Sequence, residues 1–256
     1  MNRYEKNKKL LSESYNYDQS MEHDACGVGM IATTDGKKSR KIVDYGIEAL
    51  KAIWHRGAVD ADGKSGDGAG IQIEIATEFF KEKIIATGHD PDDSKRICVG
   101  MVFLPRTDYL EQEKCREIIE SVLLEENYSI YGWRQVPINS SVLGKTAEQS
   151  RPEIAQVMFK KNENLETNDL ERNLFETRKK IEKLARKNQL KNFYICSFSS
   201  RSIVYKGMFL AEMLAEFYPD LNDKKLTSRF AIFHQRYSTN TFPSWDLAQP
   251  FRTLAH

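Results

Sequence analysis

Short apolar runs alternate along this chain with longer stretches of helical periodicity. Residues 27–33 form a brief apolar run that predicts a strand. Ile42, Val43, Gly46, Ile47, Leu50, Ile53 and Trp54 recur at helical spacing, with Ser39 placed to cap that helix and Gly57 to follow its end. A glycine-dense stretch, residues 60–70, predicts a loop feeding an alternating strand at Ile71, Ile73 and Ile75. Residues 77–87 predict a short helix closed by Gly88, and residues 97–104 an apolar strand stopped at Pro105. Residues 109–126 predict an amphipathic helix carrying Leu110, Ile118, Ile119, Val122 and Leu123 on one face.

Strands are predicted around 129–136 and 153–159, with an irregular connection over 139–152 between them. Residues 170–187 predict a charged helix with Leu174, Ile181 and Leu184 turned inward. Residues 193–198 and 202–205 read as a hairpin, 208–217 as a helix, and 230–234 as a last strand. Several strands follow one another without a crossover helix, which points to antiparallel sheets covered by helices.

Composition narrows the function classes. The 256 residues are 40% hydrophobic, enough for a core in one large domain or two small ones. A net charge of +1 argues against nucleic acid or an anionic membrane as partner. The first twenty residues are polar with a basic start and no apolar stretch, so they read as a flexible leader and not a secretory signal. Cys26, Cys98, Cys115 and Cys196 form no CxxC pair, so neither zinc nor a disulfide framework is expected, and a reducing cytoplasm is the simplest compartment.

Four segments bear on chemistry. Cys26 opens a strand and is followed by Gly27 and Gly29, which let another group approach closely. Cut before Cys26, the thiol and a new α-amine would share one residue as nucleophile and base; a lone cysteine in a strand is, however, usually a small buried hydrophobe. Arg56 and Gly57 stand at a helix end, where an arginine also simply suits the dipole. Residues 66–70 lack both the phosphate-loop ending and the dinucleotide spacing, so nucleotide binding is rejected in favour of a tight turn carrying Asp67 to another element. Residues 229–245 end an apolar strand in a polar cluster. There Arg236 offers a planar fork suited to a carboxylate, and Ser238, Thr239 and Asn240 add short donors. Such a cluster lines a site or is a solvated loop.

The segments DACGVGMIA, HRGAVDADGKSGDGAGIQIEI, VYKGM and SRFAIFHQRYSTNTFPSWDLAQPF together resemble the amino-terminal glutaminase domain of glutamate synthase large subunits, a branch of the class II glutamine amidotransferases among the N-terminal nucleophile hydrolases. The resemblance implies an α+β fold, a four-layer αββα sandwich of two antiparallel sheets. It implies a propeptide over residues 1–25 and a glutaminase domain over 26–256. Cys26 would then attack L-glutamine, its α-amine acting as base; a free thiol ionises near ~8.5 and an α-amine near ~8. Arg236 would hold the substrate carboxylate, with Ser238, Thr239 and Asn240 lining the pocket. Arg56, whose charge would favour thiolate, Gly57 and Asp67 would support that geometry. The ammonia would pass to 2-oxoglutarate in downstream synthase domains or subunits, with FMN, an iron–sulfur cluster and electrons from NADPH or ferredoxin, and with a small electron-donating subunit as a further partner. None of those cofactor sites is expected in this segment.

Relatives of this kind continue past the last histidine into an Asn-Gly pair that forms the oxyanion hole. The expectation is therefore that the domain is incomplete at its C-terminal end and that these 256 residues alone turn over little glutamine, since one oxyanion donor is worth roughly 100- to 1000-fold in rate. An amidotransferase with another acceptor and a non-catalytic binding module are the competing readings.

Overall fold

The computed structural model describes residues 26–253 together with residues 6, 9, 10, 12 and 13. The remainder of the expected leader lies outside the described residues. The five described leader positions are helical, where the sequence predicted no regular structure.

Eight strands form two antiparallel four-stranded sheets. The first has the order β1 (Gly27–Ala32), β8 (Phe230–Gln235), β2 (Ser65–Glu74), β7 (Ser202–Phe209). The second has the order β4 (Tyr128–Gln135), β5 (Glu153–Lys161), β3 (Cys98–Leu104), β6 (Tyr194–Ser199). This is the α+β, two-sheet architecture expected. One core joins α1 (Arg40–Ala52) and α2 (Thr77–Ile85) to residues of both sheets; a second packs α3 (Tyr109–Glu125) and α5 (Thr167–Lys187) against the other face of the second sheet.

The helices follow their apolar stripes. Ser39 caps α1, its hydroxyl accepting from the Lys41 N–H at 3.2 Å, and Ile42, Val43, Ile47 and Leu50 are buried beneath. Gly46 lets α1 lie close on the first sheet, because a Cβ there would stand 2.6 Å from that of Ala231. Gly57 closes a following 3-10 turn, Trp54–Arg56, and not α1 itself. The irregular connection contains a 3-10 turn, Ser140–Val142, and a short helix α4 (Lys145–Gln149).

Four expectations are corrected. The glycine run at 66–70 is not a turn but lies within β2, whose ten residues are all buried. The two segments read as a hairpin do not pair: β6 belongs to one sheet and β7 to the other. The serine turn between them is held by side chains, Ser199 Oγ accepting from Arg201 and Ser202 N–H groups and Glu171 accepting from Ser199 and Ser200. Strand β7 continues to Phe209, so Met208 is not helical; helix α6 (Leu214–Phe217) begins after a 3-10 turn at Ala211–Met213. Leu110 is 86% exposed. It stands nine residues before Ile119, about two and a half helical turns, which is the opposite face of α3, and Cys115 fills the inward place instead.

A buried ion pair ties the sheets together. Arg134 of β4 donates to both carboxylate oxygens of Asp220, at 2.7 and 2.5 Å, and to Gln156 of β5 at 2.8 Å. Tyr205 of β7 donates to the same carboxylate at 3.3 Å. Replacing Asp220 with alanine strands a cation and a phenol in the core. The expected loss is about 3–5 kcal/mol in urea unfolding, whereas breaking a surface pair such as Lys81–Asp93 should leave the unfolding midpoint nearly unchanged.

Candidate active site

The site is built around the end of β8. Gln235 pairs with Gly27 of β1 on one side and with Ala69 of β2 on the other. Cys26, which precedes β1, Arg236, which follows β8, and Asp67–Gly68 of β2 are thereby drawn together.

Cys26 is half-buried, whereas Cys98, Cys115 and Cys196 are wholly enclosed. Burial pushes the Cys115 and Cys196 thiols up to about 12 and the Cys98 thiol higher still, which leaves those three inert. The Cys26 sulfur accepts the Tyr237 N–H at 3.2 Å and its thiol donates to the Tyr237 carbonyl at 3.5 Å. One backbone unit directly after Arg236 thus seats the sulfur.

Arg236 is buried, at 6% exposure. Its main-chain N–H donates to the Gly68 carbonyl at 2.8 Å, and its guanidinium donates to the Asp67 carbonyl at 3.3 Å and to Thr241 Oγ1 at 2.6 Å. The Asp67 carboxylate accepts the Ser238 N–H, and the Ser238 hydroxyl donates to the Thr241 carbonyl. Asp67 therefore does reach another element, as expected, but from a strand.

Arg56 packs beside β1: a Cβ on Gly27 would lie 3.1 Å from that of Arg56. Gly57 makes room for the Gln235 amide, since a Cβ there would stand 2.2 Å from its nitrogen. Thr239 and Asn240 are exposed at the loop tip, and no hydrogen bond among the described residues joins them to Cys26 or Arg236.

Three participants escaped the sequence reading. Gln235 donates to the Gly68 carbonyl at 3.4 Å and accepts from Ala211 N–H at 2.9 Å; its signal was an amide inside an apolar strand. Thr241 orients the Arg236 fork. Lys206 of β7 is fully enclosed, and its amine donates to the carbonyls of Asp246 at 2.7 Å and Ala248 at 2.6 Å. A lone charge within the buried run VYKGM was the clue to it. His234 is enclosed in β8, and among the described residues no group of three His, Cys, Asp or Glu could hold a metal. Two roomy hollows, of about 590 and 420 Å³, have linings that include neither Cys26 nor Arg236, so the chemistry and not the volume marks the site.

Comparison with known proteins defines the class. The sequence model for class II glutamine amidotransferases matches residues 26–256, and the chain belongs to that family. It is 55% identical over 250 residues to the glutamate synthase [NADPH] large chain of Azospirillum brasilense, covering 98% of this chain and 16% of that protein. It is 47% identical over 251 residues to the ferredoxin-dependent glutamate synthase of Pyropia yezoensis, covering 97% and 16%, and 42% identical over 236 residues to the chloroplastic ferredoxin-dependent enzyme of Spinacia oleracea, covering 92% and 14%. The chain thus spans about 16% of the length of the first two. No described helix is long and apolar enough to cross a membrane.

Two outcomes are expected. Gly57→Ala drives a methyl into the Gln235 amide and should cost about 1–3 kcal/mol in chemical denaturation while raising the alkylation rate of Cys26. Burial lowers the Lys206 amine from 10.5 to about 8, against raising effects of Cys196 and Asp246 and with Arg252 and Arg236 adding to the fall. A base depressed in the fold is penalised below the folded value and relieved above it. The stability of the parent relative to Lys206→Met should therefore rise by about 3 kcal/mol between pH 8 and 10.5, read from denaturation curves at each pH.

Proposed function

We propose that this chain supplies the glutamine-hydrolysing part of a glutamate synthase, with Cys26 as the nucleophile. The observation that carries the reading is the seat of the Cys26 sulfur on the Tyr237 backbone, one residue from a buried arginine. The family match begins at Cys26, which supports a propeptide over residues 1–25. Removal of that segment frees an α-amine on Cys26. The amine takes the thiol proton, and the sulfur attacks the side-chain amide carbon of L-glutamine. The C–N bond breaks, the proton goes to the departing nitrogen, and ammonia leaves a glutamyl thioester. Water then cleaves the thioester, giving glutamate and restoring the thiol.

Arg236 holds the substrate α-carboxylate. A guanidinium has five N–H donors, and two hydrogen bonds fix this one's orientation without exhausting them. Ser238, Thr239 and Asn240 line the pocket, the last two closing on the substrate from the exposed loop. Arg56, Gly57 and Asp67 support the geometry by packing on Gly27, on Gln235 and on the Ser238 N–H.

The ammonia passes to synthase domains or subunits that aminate and reduce 2-oxoglutarate. The relatives' names carry NADPH and ferredoxin as electron donors, and FMN, an iron–sulfur cluster and a small electron-donating subunit belong to that same downstream chemistry. No residue of this chain is assigned to them. The four free thiols agree with a reducing, cytoplasmic setting. Identity of 42–55% to glutamate synthases favours 2-oxoglutarate over another acceptor.

In the whole gene product, intact mass should show a mature chain beginning at Cys26. Cys26→Ala should lower glutamine hydrolysis by roughly 1000-fold or more, and Arg236→Lys should raise KM for glutamine about tenfold or more through loss of the fork. An active protein still carrying Met1, or full turnover in Cys26→Ala, would overturn the mechanism.

A further inference from the structure

We propose that Lys206 is a positioning residue for the glutamine site, acting through the segment at 246–249 and not by touching substrate. The proposal rests on the glutaminase reading above.

Lys206 is an enclosed cation whose hydrogen-bond partners among the described residues are all neutral. Besides the Asp246 and Ala248 carbonyls, its amine donates to the Tyr194 hydroxyl at 3.4 Å and stands 4.5 Å from the Tyr194 ring centre and 5.0 Å from that of Phe251. The Asp246 carboxylate is engaged by the Ser244 hydroxyl at 2.6 Å. An enclosed ammonium without a carboxylate partner is costly, and a methionine would fill the same space without that cost. What a methionine cannot do is gather two main-chain carbonyls onto one point.

Those carbonyls belong to a segment that lies in a trough made by the glycines of β2. A Cβ on Gly68 would be 2.7 Å from that of Ala248, and a Cβ on Gly70 would be 2.6 Å from the Gln249 carbonyl oxygen. Gly68 sits at φ +133, a conformation that side chains rarely adopt. Its carbonyl accepts the Arg236 N–H, and its neighbour Asp67 holds both the Arg236 guanidinium and the Ser238 N–H. The path runs Lys206, Asp246–Ala248, Gly68, Arg236, and each link is a direct contact. The lysine presses the segment onto the glycines, and the segment confines the backbone that aims the arginine fork. The glycine-rich run of β2 thereby acquires a purpose that neither phosphate binding nor a turn explains.

The test compares the whole gene product with its Lys206→Met and Ala248→Val variants, the second of which crowds Gly68 while leaving the amine in place. In both, KM for glutamine should rise about tenfold with kcat within about threefold, because orientation of the carboxylate-binding group is lost while the sulfur keeps its seat. Lys206→Met should melt no lower than the parent. KM within about twofold of the parent in the variants that fold overturns the proposal, whatever happens to thermal stability. If Lys206→Met does not fold, Ala248→Val alone decides. A second readout separates this idea from the glutaminase reading: protection of Cys26 from iodoacetamide by L-glutamate. Protection in the parent that needs about tenfold more glutamate in the variants supports the positioning role, and equal protection in all three removes it. No protection and no glutaminase activity in the parent overturn both readings together.

Discussion

The double pairing of β8 is the constraint on which the rest of the site depends. A strand with neighbours on both sides has its register set twice, and at Gln235 both registers converge, with Gly27 across one ladder and Ala69 across the other. Slipping either ladder by one residue would turn every side chain to the other face. Cys26, Arg236 and Asp67 are thus held by backbone hydrogen bonds that no single side chain can undo. Small residues complete the arrangement, because Gly27, Gly57 and Gly68 each admit a neighbour to a distance that a methyl group would forbid.

Around that frame, burial sorts the reactive groups. Three thiols are driven out of reactivity by enclosure, and Cys26 keeps its access. Charges that are enclosed are there for geometry: Asp220 joins Arg134 of one sheet to Tyr205 of the other, and the Lys206 amine collects carbonyls from a crossing segment. In neither case is the burial of an ion itself favourable. Each holds two pieces of chain at a defined spacing, which apolar packing alone does less sharply.

Much of this was legible in the sequence, and the failures have physical causes. The stripes of α1 and α5 and the Ser39 cap follow directly from period and chemistry. The two-sheet class follows from strands without crossover helices, and Cys26, Arg236 and Asp67 stand out by residue type. The glycines at 66–70 misled because glycine marks both a turn and a place where backbones meet, and only tertiary structure separates the two. Strands β6 and β7 misled because both are almost wholly buried, so neither alternation nor polarity reveals which sheet each joins. Gln235 and Lys206 were missed because their partners are main-chain groups far away along the sequence, and Thr241 because nothing in the loop's residue pattern shows that the chain folds back to place it on Arg236. Thr239 and Asn240, conspicuous in the sequence, sit outside the hydrogen-bonded cluster.

The sulfur and its backbone seat are 211 positions apart. During synthesis at 5–20 residues per second, roughly 10 to 40 seconds separate the emergence of Cys26 from that of its partner. Throughout that interval the thiol belongs to an unfinished sheet, with no β8 to pair against. A nascent chain shorter than 237 residues therefore never holds a seated Cys26 sulfur. The longest-range hydrogen bond of the site thus sets the earliest point in synthesis at which that sulfur can be seated.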